Sequence, residues 1–123
     1  MARHNVSSGH PFEPVLGYTR AVKVGNTIHV SGTTADGADA YDQARKVLAI
    51  IKQALTEAGA GPEHVVRTVI YVTDMDVHSD GVIKAHGEMF RHIRPASTLV
   101  AISALLRPEL FVEIEAYAII EDA

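Results

Sequence analysis

The chain has no cysteine and no tryptophan. The first absence removes disulfides, thiolate metal sites and nucleophilic thiol chemistry together, so any reaction must use oxygen and nitrogen groups. Long apolar runs are missing as well: Leu99 to Leu106 falls far short of the ~20 residues that cross a bilayer, and no membrane partner is expected. Met1-Ala2-Arg3-His4 carries no apolar export segment, which makes the cytoplasm the expected compartment. Positive charge is scarce. Eleven Lys plus Arg against 15 Asp plus Glu give a net charge of −4, the wrong sign for gripping a phosphate backbone, so no nucleic-acid partner is expected. No Gly-x-Ser-x-Gly elbow, phosphate loop or dinucleotide fingerprint is found, which removes the serine-hydrolase and nucleotide readings.

What is present is a globular composition: 123 residues, 47% apolar and 21% charged, enough for one domain spanning 1–123. Residues 1–16 hold Ser7, Ser8, Gly9, Pro11 and Pro14 and read as an irregular N-terminal arm. Tyr18 to Val24 and Thr27 to Ser31 are β-prone around Gly25-Asn26, a predicted hairpin. From Asp39 the period changes to three and four (Ala44, Val47, Leu48, Ile51, Leu55), predicting a helix capped by Asp39 and stopped at Gly59. Val65 to Thr73 returns to strand. Val82, Ala85, His86, Met89 and Phe90 predict a second helix, with Ser79 or Asp76 as cap and Gly81 and Gly87 weakening it. Thr98 to Leu105 and Phe111 to Ile120 read as two closing strands, paired as a hairpin about Arg107-Pro108-Glu109.

The order β-β-α-β-α-β-β defines an α+β domain, a mixed sheet with two helices over one face. Val65 to Val72 and Thr98 to Leu105 are apolar at both parities, as strands buried on both sides are. Either the arm or a second copy covers the remaining face, and self-association into a closed homo-oligomer is the reading adopted.

Several side chains are candidates for chemistry. Glu113 and Glu115 alternate on one face of the last strand between Phe111 and Tyr117, and partial desolvation there suits an acid or base. Tyr18 and Arg20 are two apart on the first strand and place a phenol beside a guanidinium. Arg94-Pro95-Ala96-Ser97-Thr98 sets an arginine and two hydroxyls at a stiff strand start, a possible anion pocket. The seven histidines do not form a metal site: His86 and His92 are ~240° apart around a helix, and His78 and His86 are two turns apart.

Gly17-Tyr18-Thr19-Arg20-Ala21, Val24-Gly25-Asn26, Val30-Ser31-Gly32, Gln43-Ala44, Ala58-Gly59, the Val66 to Met75 run, Arg94-Pro95-Ala96 and Val112-Glu113-Ile114-Glu115-Ala116 together resemble the RidA/YjgF family of reactive imine and enamine deaminases. The match runs from about Gly17 to Ala118, and its specificity lies in the order and spacing of the pieces. The resemblance implies a chorismate-mutase-like fold, a homotrimer with its sheets facing inward, and clefts between subunits where a small-molecule 2-imino acid is hydrolysed to a keto acid and ammonia without a cofactor. Carried over by motif, Tyr18 lines the cleft, Gly32 lets backbone approach the ligand, and Glu113 positions or activates water. One position departs from the pattern. Ser97 and Thr98 stand where the family reads Arg-Ser or Arg-Thr, and the position two residues beyond Ser97, often Cys in the family, is Leu99. Ser97 therefore replaces the arginine that clamps the substrate carboxylate, and losing such a charge-assisted contact costs ~2 kcal/mol or more. The reading is a hydrolase of this type with a shifted substrate or a clamp moved to Arg20 or Arg94. The alternatives are a trimeric metabolite-binding protein or regulatory partner without catalysis and, last, a ribonuclease.

Overall fold

A computed structural model describes residues 2–121. In chain order the elements are β1 (Arg3–Val6), α1 (Phe12–Leu16), β2 (Ala21–Val24), β3 (Thr27–Thr33), α2 (Ala40–Glu57), a 3-10 turn (Pro62–His64), β4 (Val65–Val72), α3 (Met75–Phe90), β5 (Ala96–Ala101) and β6 (Val112–Ile119). The six strands form one mixed sheet in the order β1-β2-β3-β6-β4-β5, and α2 and α3 pack side by side over one face of it. Among the described residues no helix is long and apolar enough to cross a membrane.

The helical period sets the core. Val47, Leu48, Ile51 and Leu55 of α2 are buried against Ile28 and Val30 of β3 and Ile114, Ala116 and Ala118 of β6, the inward parity of those strands. Asp39 caps α2 as expected, its carboxylate accepting from the Asp42 N–H, and Gly59 follows the last turn at φ +85°. The second helix starts earlier than its candidate caps, at Met75, with Asp74 in the left-handed region before it and no side-chain cap bond. Gly81, which weakens α3 as a helix, permits its approach to α2. A Cβ there would sit 2.9 Å from the Tyr41 nitrogen.

Three expectations require correction. The arm is not wholly irregular: β1 pairs with β2, Arg3 opposite Val24 and Val6 opposite Ala21, and α1 follows it. Polar composition hid a strand whose ladder partner comes from β2, and whose connection is folded inward by Glu13 accepting from both Ser7 and Ser8. β1 thus extends the sheet edge-on, and the face opposite the helices stays uncovered within one chain. Tyr18 and Arg20 precede β2 rather than lying on it. Finally, β5 and β6 form no hairpin. Helix α3 returns the chain so that β5 runs parallel to β4, with Ser97 beside Thr68, while β6 inserts between β3 and β4 and is antiparallel to both.

Candidate active site

Two irregularities in the ladders shape the open face. Between Val30 and Thr33 the β3–β6 register shifts, so that Ser31 and Gly32 together oppose Glu115. This bulge brings Gly32 against the Glu113 side chain: a Cβ on Gly32 would lie 2.8 Å from Glu113 Oε2. The carboxylate therefore rests on backbone that only glycine leaves open. The second shift, between Val65 and Arg67, makes Val66 the extra residue of β4 and turns Arg67, Val69 and Tyr71 to the open side.

On that side Glu113 stands opposite Tyr71 and Glu115 opposite Val69. The Tyr71 and Tyr117 hydroxyls both donate to Glu115 Oε1, at 3.1 and 3.2 Å. Glu115 is held; Glu113 is not, and both phenols are committed to its neighbour. Burial first, and then the charge of Glu115, push the Glu113 carboxyl above the ordinary carboxylate range, against a smaller opposing pull from Arg20. An open depression of about 350 Å³ beside it is lined by Tyr71, Glu113, Ile102, Ala104, Leu105 and Leu106. A larger depression of about 590 Å³, near His4, Lys23 and Glu57, lies away from this group, and its lysine is engaged by the Ala58 carbonyl at 2.9 Å.

The other candidates divide. Arg20 is buried beside the bulge, donating to Thr33 Oγ1 at 3.0 Å and towards the Gly32 carbonyl at 3.4 Å, with its Nε unpartnered and its guanidinium carbon 5.5 Å from the Tyr18 ring centre. Tyr18, Arg20, Gly32 and Glu113 thus belong to one neighbourhood. Thr98 shares the open face and accepts from Arg67 at 2.9 Å. Arg94 does not join them: it is exposed at the far end of β5, with a φ of +57° and its Nε donating to the Arg91 carbonyl. Val100 is the β5 residue in line with Tyr71 and Glu113, so Arg94 is displaced by six residues, roughly 20 Å of strand. Ser97 is displaced by three and faces the helices, where Thr68 Oγ1 donates to its hydroxyl at 2.7 Å.

Sequence reasoning missed two groups. Gln43, fully buried, donates to the carbonyls of Gly37 and Glu109 and accepts from the Phe111 N–H, fixing the segment that leads into β6 and Glu113. Its sequence signals, a place in the family pattern and a polar residue on the buried stripe of α2, pointed to no role. Thr68, also fully buried, bonds Ser97 and lies 2.9 Å from His86 Nε2, and a lone threonine in an apolar strand is the matching signal. Other histidines pack locally: His29 meets Tyr117 edge-on, and His78 stacks on Phe111 at 4.1 Å. Among the described residues no three His, Asp or Glu side chains gather as a metal site.

A mixed sheet bulged at a glycine, with two long helices on one face and a half-buried carboxylate on the other, defines a class of small α+β proteins by its fold. The chain belongs within that class to the YjgF/RidA family: the family model described as Endoribonuclease L-PSP matches residues 9–120. An uncharacterized protein of Streptomyces coelicolor is 36% identical over 94% of this chain and 92% of its own length, and a RutC family protein of Pyrococcus abyssi is 30% identical over 96% and 98%. The crystal structure of a YjgF/YER057c/UK114 family member from Mycobacterium tuberculosis superposes with a TM-score of 0.94 at 45% identity, covering 97% of this chain and 100% of that one.

Proposed function

We propose that the chain is a hydrolase that deaminates a small reactive imine or enamine to a keto compound and ammonia, without a cofactor, at clefts between the subunits of a homotrimer whose sheets face inward. The observation that carries this reading is the Glu113 carboxylate, half-buried against the Gly32 backbone, with raised proton affinity and no phenol committed to it. An imine carbon is already electrophilic. Glu113 takes a proton from water as the oxygen bonds to the carbon of the protonated imine, returns it to the nitrogen of the resulting carbinolamine, and accepts the remaining hydroxyl proton as ammonia leaves and the carbonyl forms. Tyr18 and Arg20 border the site and Thr98 shares its face. Ser97 and Glu113 lie on opposite faces of one sheet and do not line a common pocket within one chain, so a cleft that used both would be shared between copies. Exposed Val66, Val100 and Ile119 on or beside the uncovered face support the same assembly.

The endoribonuclease description attached to the family, and to a Thermotoga maritima relative that superposes with a TM-score of 0.81, offers RNA as an alternative substrate. Two carboxylates on the candidate face and the net charge of −4 argue against it. The test is ammonia release from 2-iminopropionate generated in situ. Wild type is expected to exceed the spontaneous rate, and Glu113→Ala to lose about 100-fold of that excess. A wild type at the spontaneous rate, still stabilised thermally by a keto acid, would move the assignment to a non-catalytic metabolite-binding protein.

A further inference from the structure

The depression beside Glu113 has a definite chemical character. Its walls are Ile102, Ala104, Leu105 and Leu106, from the loop that follows β5, and its polar groups are Glu113 and Tyr71. The Tyr71 hydroxyl is spent on Glu115, which leaves the Glu113 carboxylate as the group open to a ligand. Glu115 stands two residues along β6 on the same face, and its charge is felt at Glu113. No lysine or arginine among the described residues lines the depression. Arg20, whose charge also reaches Glu113, is buried and directs its terminal nitrogens to Thr33 Oγ1 and the Gly32 carbonyl. Arg67 shares the open face but lies four residues from Tyr71, roughly 13 Å of strand, and donates to Thr98. Within one chain, an anionic group in the depression meets carboxylates and aliphatic walls and no counter-charge.

We propose that the Glu113 site takes imines that carry no carboxylate, bound as iminium cations with an aliphatic side chain. The iminium N–H donates to one oxygen of Glu113, and the alkyl group lies against Ile102, Leu105 and Leu106. The other carboxylate oxygen is left to receive the proton of the attacking water. Water adds to the iminium carbon, the C–N bond breaks, and a simple ketone and ammonium leave with no change of oxidation state. The inference rests on the imine-deaminase reading and names its substrate class. Oxidation of an alkyl amine is the class of reaction that supplies such an imine. 2-Imino acids remain substrates at lower kcat/KM, because their carboxylate faces Glu113 and Glu115 without a cation.

The test compares binding and turnover in the full-length protein. In calorimetric titration, butyramidinium, a stable planar cation shaped like an iminium, is expected to bind at least about tenfold more tightly than pyruvate. Acetamidinium, shorter by two methylenes, should bind about tenfold more weakly than butyramidinium, and Leu105→Ser should shrink that difference. Ile102→Ser serves the same purpose if Leu105→Ser does not fold. Glu113→Gln should abolish amidinium binding. In turnover, butan-2-imine formed in situ by a flavin amine oxidase should exceed 2-iminopropionate by at least about tenfold in kcat/KM, each measured as ammonia released above its spontaneous rate. Absence of amidinium binding, amidinium binding that survives Glu113→Gln, pyruvate bound as tightly as butyramidinium, or 2-iminopropionate as the better substrate overturns the proposal. Amidinium binding through Glu113 with neither imine accelerated overturns the deaminase reading alone.

Discussion

Burial and the Glu115 charge both raise the proton affinity of Glu113, so its ionised form is disfavoured in the folded chain relative to the unfolded one. A carboxylate raised in this way supports the fold below its unfolded value, near 4.5, and that support is lost as pH rises through the raised value. Glu113→Gln is therefore expected to raise the thermal midpoint at about pH 8, with the difference vanishing by about pH 4, while activity is lost. A scan of midpoint against pH for the two proteins checks the sign. Gly32→Ala tests the contact itself: its methyl group cannot occupy the 2.8 Å gap to Oε2 without displacing the carboxylate, so kcat should fall by about tenfold or more. The pairing of Glu113 and Glu115 on one face was legible in the alternation of β6. Their division of roles was not, because it depends on Tyr71, 44 residues away in sequence, donating its hydrogen bond to one and not the other.

At the scale of elements, local chemistry was readable and partnership was not. Asp39 announced the start of α2, and Asp39→Ala should cost about 1 kcal/mol in denaturant unfolding with the slope unchanged. β5 and β6 were recognisable as strands, but alternation says which faces a strand has and nothing about its neighbour; a helix between β4 and β5 and a buried glutamine decided that. Gln43→Ala removes three bonds at once and leaves the Phe111 N–H and two carbonyls to find other partners. The expected loss is about 2–4 kcal/mol, with a matching fall in activity because the approach to Glu113 loosens. Activity assayed well below the new midpoint separates the two effects.

For the whole molecule, the face opposite the helices is the decisive surface. Val66 at 44% and Ile119 at 41% exposure are large apolar residues that a single chain leaves in water. In the proposed trimer the double variant Val66→Lys with Ile119→Lys should reduce the mass in light scattering to the 13.2 kDa of one chain, with far-UV dichroism retained. The two-sided apolarity of the strands was enough to require a covering, while the number of copies that supply it is a matter of geometry between chains. The sheet consists of a β1-β2-β3 half and a β4-β5 half, joined through β6, which is the last strand to be made. A nascent chain translated as far as Leu110 holds both halves and both long helices but lacks the strand that closes the ladder. Folding must wait for synthesis to pass Ile119, and until then the apolar edges of β3 and β4 are open to chaperones.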